Sequence, residues 1–413
     1  MTVLSLRSGG VTSGTAEVVA VVDAGSSVRL AVADNPGLSG PAFYGPDAPD
    51  AGGAVKLTAT GLDPLTRYYY ALEVDSALDT SMTGEFATFQ VAGERWRSFT
   101  VAAASCAGLN TDEPGGYPGP STTLAPDRCS DHPVFADIAA RARDFGVFLH
   151  MGDAMYYNLG SGSFGITYQG VPTQRRMWSD WESIPRQADL FRRLPLNHIL
   201  DDHDFGVGNS DRTTPGREDV AQVYRERTAH YPLPATGGAG GSGIYHSFDM
   251  GRVLVLVSDL RYYRDPPTQA DPRTMLGADQ LAWTENVLAT SQAKALIWVS
   301  TQRWVAGVNP PNTNWGSYQV DRLRLQQMFG DYGWLDRMCV VHGDNHAMGI
   351  DTGATNPYGG FPMFCYSPLD SNAKIGSLSP YNLGARAQRG QYGTFRVDDL
   401  GSVVRVTGKA VYA

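Results

Sequence analysis

The sequence predicts an α/β domain preceded by a small all-β sandwich. Between residues 11 and 90, short strands alternate apolar and polar side chains and are separated by turn residues, a pattern typical of an antiparallel sandwich. Further along, apolar strands alternate with helical segments, which is typical of an α/β core. The 413 residues also exceed the roughly 100–200 residues of an ordinary domain, so we assign residues 1–93 to the sandwich and 94–413 to the α/β domain.

Composition argues against several classes of protein. With 42% hydrophobic and 18% charged residues, the chain resembles an ordinary soluble globular protein. The formal net charge is −9 and no run of lysines or arginines interrupts the acidic average, which argues against a nucleic-acid-binding surface. Four cysteines are too few for a disulfide framework. We find no stretch of about 18 apolar residues that would predict a transmembrane segment.

The first ten residues lack the long apolar region of a signal peptide. Removal of a leader would leave the same sequence, so this observation does not decide the location. We expect an exported protein, secreted or periplasmic, with a cytoplasmic location as the alternative. The sequence does not indicate which oligomeric state the protein adopts.

The sandwich is predicted from strands at residues 17–22, 27–32, 55–60, 68–74 and 84–89. Residues 61–70 resemble the corner of fibronectin type III domains, where a Leu, a Pro, a Thr and a Tyr fix the turn into a core strand. No residue of this region suggests chemistry. We therefore interpret it as a structural or docking module.

The α/β domain is predicted from the period of its apolar residues. Strands are expected at residues 98–106, 147–151, 198–200, 252–257, 295–300 and 338–342, and helices at 134–143, 187–193, 278–288 and 320–329. In a domain of this kind, ligands bind at the carboxyl ends of the strands. We therefore look for chemistry at those ends.

Polar residues follow four of the predicted strands. They are Ser105 and Cys106, then Gly152 and Asp153 with Tyr156, then Asp201 to Asp204, and finally Gly343 to His346. Each is ambiguous alone, because a single cysteine is often a small core residue and a single aspartate often caps the next helix. Three carboxylates within four residues repel one another unless they share cations or protons. The coincidence of four such ends predicts a metal or catalytic site.

The order of these motifs resembles the PhoD-like alkaline phosphatases and phosphodiesterases, a branch of the metallophosphoesterases related to purple acid phosphatases. The matching motifs are Ser105-Cys106, Gly152-Asp153-Ala-Met-Tyr156, Asp201-Asp202-His203-Asp204, Asp259-Leu-Arg261-Tyr-Tyr-Arg264 and Gly343-Asp344-Asn-His346. The sandwich also resembles the N-terminal module of that family. The resemblance implies a four-layer metallophosphoesterase-like catalytic domain.

The resemblance also implies two metal ions. It places an Fe³⁺ on Cys106, Asp153, Tyr156 and His346, and a Ca²⁺ on Asp153, Asp202, Asn209 and Asp344. Ligand chemistry agrees with this division, since a thiolate, a phenolate and an imidazole suit a transition metal. Clustered carboxylate and amide oxygens suit a hard cation. Mn²⁺, Mg²⁺ or Zn²⁺ remain alternatives.

One position departs from the family pattern. Relatives usually place an asparagine where this chain has Gly208, and Asn209 follows one residue later. Either Asn209 binds the second metal after a small loop shift, or the site is altered. The residues from Asp202 to Asp211 therefore leave the second-metal ligand open.

Three residues are candidates for catalysis. Asp153, at the end of a central strand, can offer one oxygen to each metal ion. His203 lies among carboxylates that favour its protonated form, so it is a candidate phosphate donor or leaving-group acid, or else it orients Asp202. Arg261 either grips a phosphate oxygen or holds the end of its strand, and Arg264 is assigned to the structural role.

The function implied by the resemblance is a phosphomonoesterase or phosphodiesterase in which two metal ions activate a hydroxide for in-line attack on phosphorus. The alternatives are a phospholipase D-like phosphodiesterase and a non-catalytic metal-stabilised binding protein. The expected partner is a small phosphate mono- or diester. Its identity would depend on the loops at residues 158–175 and 206–217, whose composition does not name a ligand.

Overall fold

The computed structural model describes residues 2–108, 129–157, 169–235, 243–306, 314–371 and 381–412. The described strands form four sheets, two before residue 94 and two after it. None of the described helices has both the length and the apolar character needed to cross a lipid bilayer.

The strands before residue 94 form two antiparallel sheets. They are β1 (Val3–Gly9), β2 (Thr15–Val22), β3 (Val28–Ala33), β4 (Ala42–Asp47), β5 (Ala54–Thr60), β6 (Arg67–Val74) and β7 (Ala77–Ala87). One sheet has the order β1-β2-β5 and the other β4-β3-β6-β7. Val18, Leu30, Leu57 and Leu72 are buried in one shared core. The five predicted strands are confirmed, and β1 and β4 are additional.

The rest of the chain alternates strands and helices before ending in strands. The elements are β8 (Ser98–Ala104), α1 (Pro133–Ala140), β9 (Val147–Met151), α2 (Val171–Glu182), α3 (Pro185–Arg193), β10 (Leu196–Ile199), α4 (Asp202–Phe205), α5 (Arg217–Arg227), β11 (His246–Met250), β12 (Val253–Val257), α6 (Gly277–Thr290), β13 (Ala295–Val299), α7 (Gln319–Asp331), β14 (Met338–His342), β15 (Met348–Asp351), β16 (Met363–Cys365), β17 (Ala385–Arg386), β18 (Gln391–Asp399) and β19 (Val404–Tyr412). The sequence predicted ten of these elements, with small shifts at their ends, and provided no expectation for the strands after residue 342.

These strands build one sheet of order β10-β9-β8-β18-β19 and another of order β11-β12-β13-β14-β16-β15-β17. In the first sheet β8, β9 and β10 run parallel, and in the second β12, β13, β14 and β16 run parallel. Parallel neighbours present their carboxyl ends at the same edge of a sheet. The polar residues that follow these strands therefore lie near one another.

The two mixed sheets pack face to face with helices outside them. In β12, Val255 belongs to the core shared with Phe148 of β9, whereas the next residue, Leu256, belongs to the core that contains Leu281 of α6 and Leu325 of α7. This change of side follows from the two-residue period of a strand. A strand covered on both faces is apolar throughout, as all of β12 is.

Buried ion pairs join the N-terminal sheets to the α/β region. Arg7 of β1 lies 2.6 Å from Glu182 of α2, and Arg227 of α5 lies 3.2 Å from the same carboxylate. All three side chains are at most 5% exposed. Lys56 of β5 also donates to the carbonyl of Arg225 at 2.6 Å. The first strands thus contact the helices that precede and follow β10.

Candidate metal centre

Asp153 belongs to three overlapping groups of metal-ligating side chains. The groups are Cys106, Asp153 and His346; Asp153, Asp202 and His203; and Asp153, Asp201, Asp202 and Asp344. Within each group the donor atoms lie within 4.8 Å of one another. The sequence-predicted residues from four strand ends are therefore brought together, with Asp153 common to all three groups.

The two oxygens of Asp153 face different neighbours. Oδ2 lies 3.5 Å from the Cys106 thiol and accepts a hydrogen bond of 3.2 Å from the Tyr156 hydroxyl. Oδ1 accepts a hydrogen bond of 3.3 Å from the main-chain N–H of His203. One oxygen thus faces the thiol and phenol and the other faces the turn that carries Asp202. A carboxylate that bridges two metal ions needs this arrangement.

Asp201 and Asp202 are adjacent but differ in their contacts. The carboxylate of Asp201 accepts hydrogen bonds from Arg261 Nε at 2.5 Å, Thr301 at 2.9 Å and Gln302 at 3.0 Å. In Asp202, Oδ2 accepts the Asn209 N–H at 2.5 Å, whereas the buried Oδ1 accepts no hydrogen bond from any described residue. Oδ1 of Asp202 instead lies 3.5 Å from the Arg261 guanidinium, so Arg261 faces both carboxylates but is hydrogen-bonded to Asp201.

Burial and the charges of neighbouring carboxylates raise the pKa values of the donors. Burial, followed by the charges of Asp202 and Asp201, raises the pKa of Asp153 well above its usual value. Burial, followed by the charges of Asp153 and Asp344, raises the pKa of the Cys106 thiol. Such a cluster favours protons or a cation, and metal binding to these groups displaces protons.

The donor set fits a pair of unlike metal ions. A thiol and a phenol contact Oδ2 of Asp153, and the imidazole of His346 belongs to the same donor group as the thiol; this combination suits a transition metal. The carboxylates of Asp202 and Asp344 belong to another donor group with Asp153, and such oxygens suit a hard cation. The residues present are therefore compatible with a two-metal centre.

Five of the proposed ligands have left-handed backbone conformations. The φ angles are 60° at Cys106, 58° at Asp153, 67° at Asn209, 58° at Asp344 and 49° at His346. Such conformations cost non-glycine residues about 1–3 kcal/mol each and cluster at functional sites. Four of these residues, Cys106, Asp153, Asp344 and His346, follow closely after strands, whereas Asn209 follows α4.

Asp204 shapes the turn after β9. Its carboxylate accepts the main-chain N–H groups of Asp153, Ala154 and Met155 at 2.6–2.9 Å, and that of Asp201 at 3.1 Å. Burial raises the pKa of Asp204 to about 7, although these four hydrogen bonds oppose the rise. We conclude that Asp204 supports the backbone of Asp153.

The remaining predicted residues occupy different surroundings. His203 is half-buried and its ring stacks on Tyr156 with a centroid distance of 4.3 Å. Arg261 is 1% exposed and lies 3.5 Å from Asp202 Oδ1 in addition to its bond with Asp201. Asn209 is exposed and contacts Asp202 through its main chain. Arg264 is buried and donates to the Tyr318 hydroxyl at 2.8 Å.

The sequence reasoning missed two sets of residues that contact the centre. Thr301 and Gln302, which hold Asp201, follow β13 as a polar stretch after an apolar strand. The same pattern, polar residues directly after an apolar strand, identified the other four strand ends. The second set is Ser367 and Ser371, which contact His346 and follow the short strand β16. Part of the expected specificity loop, residues 158–168, lies outside the described residues.

The chain resembles a known protein family in sequence and a solved structure in fold. The sequence model of the family described as PhoD-like phosphatase matches residues 101–379. Among solved structures, one described as "Structure of PhoD" has a TM-score of 0.74 and 17% identity, and covers 99% of this chain and 92% of that chain. At this identity the likeness shows a shared fold. Among curated proteins, no sequence matched.

Other solved structures are less similar. The sensor domain of the anti-sigma factor RsgI4 in Pseudobacteroides cellulosolvens, solved in solution, has a TM-score of 0.18 and 15% identity, covering 29% of this chain and 94% of that one. Vacuolar Protein Sorting 29 from Cryptosporidium parvum has a TM-score of 0.22 and 10% identity, covering 77% and 100%. Neither supports a structural argument. Since the family match spans more than half of the sequence, this chain belongs to the PhoD-like phosphatase family.

Proposed function

We propose that this protein hydrolyses small phosphate monoesters or diesters with the help of two metal ions, Fe³⁺ and Ca²⁺. The observation that carries the proposal is that Asp153 belongs to all three groups of closely spaced metal-ligating side chains. Membership of a phosphatase family supports the class of reaction. Two ions of this kind, when bound, lower the pKa of water and stabilise the charge that develops on the phosphoryl oxygens.

We assign the ligands by their chemistry. Fe³⁺ would be held by Cys106, Tyr156, His346 and Asp153. Ca²⁺ would be held by Asp153, Asp202, Asp344 and Asn209. The presence of Asp153, Asp202 and Asp344 in one donor group supports the Ca²⁺ assignment.

His203 and Arg261 have proposed roles beside the metal ligands. His203 is half-buried beside Asp202 and stacks on Tyr156, so it can donate a hydrogen bond to a phosphoryl oxygen or a proton to the leaving alcohol. Arg261 is buried and paired with Asp201 and Asp202. We therefore assign Arg261 to positioning these carboxylates, because its guanidinium does not reach the surface.

We also propose that residues 1–93 form a fibronectin III-like sandwich and residues 94–413 the catalytic domain. The two antiparallel sheets before residue 94 support this division. The buried pairs of Glu182 with Arg7 and Arg227 support a structural role for the sandwich within the enzyme.

Asp153→Asn tests the proposal most directly. It keeps the shape of the side chain but removes the charge shared by both donor groups, so hydrolysis should fall by more than the roughly 100-fold that loss of an outer partner of a metal ligand costs. Turnover of p-nitrophenyl phosphate, bis-(p-nitrophenyl) phosphate and a phospholipid should be measured in parallel, together with metal content. The relative rates distinguish a monoesterase, a diesterase and a phospholipase D-like enzyme.

The matched control is Asp336→Asn, which changes an exposed carboxylate in a short helical turn. Its turnover and metal content should equal those of the wild type. If Asp153→Asn keeps full turnover, or if no metal accompanies an active protein, the two-metal proposal is wrong and hydrolysis takes place in another way or at another site. A wild-type protein that binds metal but hydrolyses none of the three substrates favours the non-catalytic alternative.

A further inference from the structure

Residues 367–371, which we call the serine segment, lie against the strand end that carries Cys106. The N–H of Leu369 donates to the carbonyl of Ser105 at 2.8 Å. The N–H groups of Asp370 and Ser371 donate to the carbonyl of Cys106 at 3.1 and 2.9 Å. The segment thus binds the main chain at a residue whose φ is positive.

Ser371 contacts two proposed Fe³⁺ ligands through its side chain. Its hydroxyl oxygen lies 3.0 Å from Nδ1 and 3.4 Å from Nε2 of His346. Burial, followed by the charges of Asp153 and Cys106, raises the pKa of Tyr156, and a hydrogen bond with the Ser371 side chain opposes this rise. Ser371 is 0% exposed, so its hydroxyl is directed entirely to protein groups.

Ser367 makes an equivalent pair of contacts at the other end of the segment. Its hydroxyl accepts the main-chain N–H of His346 at 3.1 Å. Burial and the charges of Asp153 and Asp344 raise the pKa of Cys106, and hydrogen bonds with Ser105 and Ser367 oppose the rise. The two serines together contact Cys106, Tyr156 and His346.

The contacts match what one hydroxyl can supply. A serine offers one donor and two acceptor positions. Ser371 can therefore accept the Nδ1–H of His346 while it donates to the Tyr156 oxygen. This arrangement leaves Nε2 of His346 for a metal ion, and ligating histidines are usually oriented by a partner at their other ring nitrogen.

Other side chains hold the serine segment in place. The carboxylate of Asp370 accepts two hydrogen bonds from Arg389, at 2.8 and 3.1 Å, and a further one from Ser130. Gln391, the first residue of β18, donates to the carbonyl of Ser367 at 2.8 Å. The serine hydroxyls are thus presented by a segment fixed at both of its ends.

We propose that Ser371 is a positioning residue that orients the His346 ring toward the transition metal beside Tyr156, and that Ser367 fixes the main chain of His346 beside Cys106. This inference rests on the proposed function, because it assumes that these three residues bind that metal. Neither serine belongs to a motif that was identified in the sequence.

Ser371→Ala tests the inference. The variant should bind Fe³⁺ about 10- to 100-fold more weakly, the usual cost of losing an outer partner of a ligand, and its tyrosinate-to-iron absorption band should shift. Ca²⁺ affinity should stay at the wild-type value. Affinities are measured by competition with a chelator, using each ion alone, and folding is checked by thermal unfolding.

Ser258→Ala is the matched control. Ser258 is equally buried and accepts a hydrogen bond of 2.9 Å from Trp298, so its loss removes one buried hydrogen bond without touching the proposed ligands. It should leave Fe³⁺ affinity unchanged. If Ser371→Ala does not fold, Ser367→Ala decides, since it should also weaken Fe³⁺ binding.

The outcomes separate this inference from the proposed function. Folded Ser371→Ala protein with wild-type Fe³⁺ affinity and an unshifted band overturns the positioning role alone, as does wild-type affinity in Ser367→Ala when the first variant does not fold. A wild-type protein that binds no Fe³⁺ overturns the proposed metal assignment and, with it, this inference.

Discussion

At the scale of single residues, the centre is built from side chains in unfavourable backbone conformations. Cys106 is the less expected case, because asparagine, aspartate and histidine adopt positive φ more often than other non-glycine residues. The sequence could predict the identity of these residues from their strand-end positions. It could not predict their backbone conformation, since that depends on hydrogen bonds such as those of Asp204 from another strand end.

Asn209→Gly tests the open choice of the second-metal ligand. Glycine adopts the observed φ of 67° without steric cost, and the main-chain N–H can still donate to Asp202. Only the amide side chain is lost. We expect weaker Ca²⁺ binding with unchanged Fe³⁺ binding, measured by chelator competition. Unchanged Ca²⁺ affinity would remove Asn209 from the ligand set.

Arg261→Met tests the positioning role of that arginine. The variant leaves the buried Asp201 and Asp202 without their cation, and loss of one partner of a buried ion pair costs about 3–5 kcal/mol in the free energy of unfolding. Denaturant unfolding of the metal-free protein measures this loss. Arg396→Met is the control, because Arg396 is exposed and pairs with Asp398 at the surface, where such pairs contribute little. A raised KM with unchanged stability would instead favour a direct contact with the substrate.

At the scale of elements, the site follows from parallel strands that end at one edge. The alternation of apolar strands and helices predicted this arrangement. In the structure, residues after β8, β9, β10 and β14 form donor groups that share Asp153, one with Cys106 and His346 and another with Asp202. The contributions of β13 and of the serine segment were missed. The segment follows β16, a strand of three residues that is too short for its period to be recognised.

The joint between the sandwich and α2 gives a prediction at this scale. Glu182→Gln removes the negative charge shared by Arg7 and Arg227, and the two buried guanidinium groups then repel each other. We expect a loss of about 3–5 kcal/mol in the free energy of unfolding, seen by denaturant unfolding. Asp144→Asn is the control, since it breaks the exposed pair with Arg141. Equal stability of the two variants would show that the joint contributes little.

At the scale of the whole molecule, the sequence predicted two regions but not how they are joined. Periodic strands reveal a sandwich, whereas the ion pairs of Glu182 connect residues that lie 175 positions apart and 45 positions apart in the chain. No local pattern encodes such a pairing. The family resemblance predicted a layered architecture, and the solved structure of PhoD shares the fold of this chain.

Metal ions should stabilise the protein more strongly as the pH rises, whereas two buried carboxylates contribute in the opposite direction. Burial raises the pKa values of Asp201 and Asp204 to about 7, from about 3.9 in the unfolded chain. Their protonated forms therefore favour the metal-free folded state below about pH 4, and this contribution is lost as the pH rises to about 7. Metal ions instead bind more tightly as the donors lose protons.

Burial lowers the pKa values of several histidines, among them His150 and His342 to about 3 and His246 to about 4, and these groups stabilise the folded chain as the pH rises toward about 6.5. The metal effect is therefore measured as a difference in denaturant unfolding, at pH 5 and at pH 7.5, between protein with added Fe³⁺ and Ca²⁺ and the same protein treated with a chelator. This stabilisation should be greater at pH 7.5, and equal stabilisation at both pH values would contradict the displacement of protons from the proposed ligands.

The position of β18 has a consequence for synthesis of the chain. β8, which leads into Cys106, pairs on one side with β9 and on the other with β18, and β18 covers Gln391–Asp399. While the ribosome is still translating the middle of the chain, one edge of β8 therefore has no neighbour, and such an edge can pair with other chains. The strand that leads to the proposed iron thiolate gains its second neighbour only after residues 391–399 have emerged.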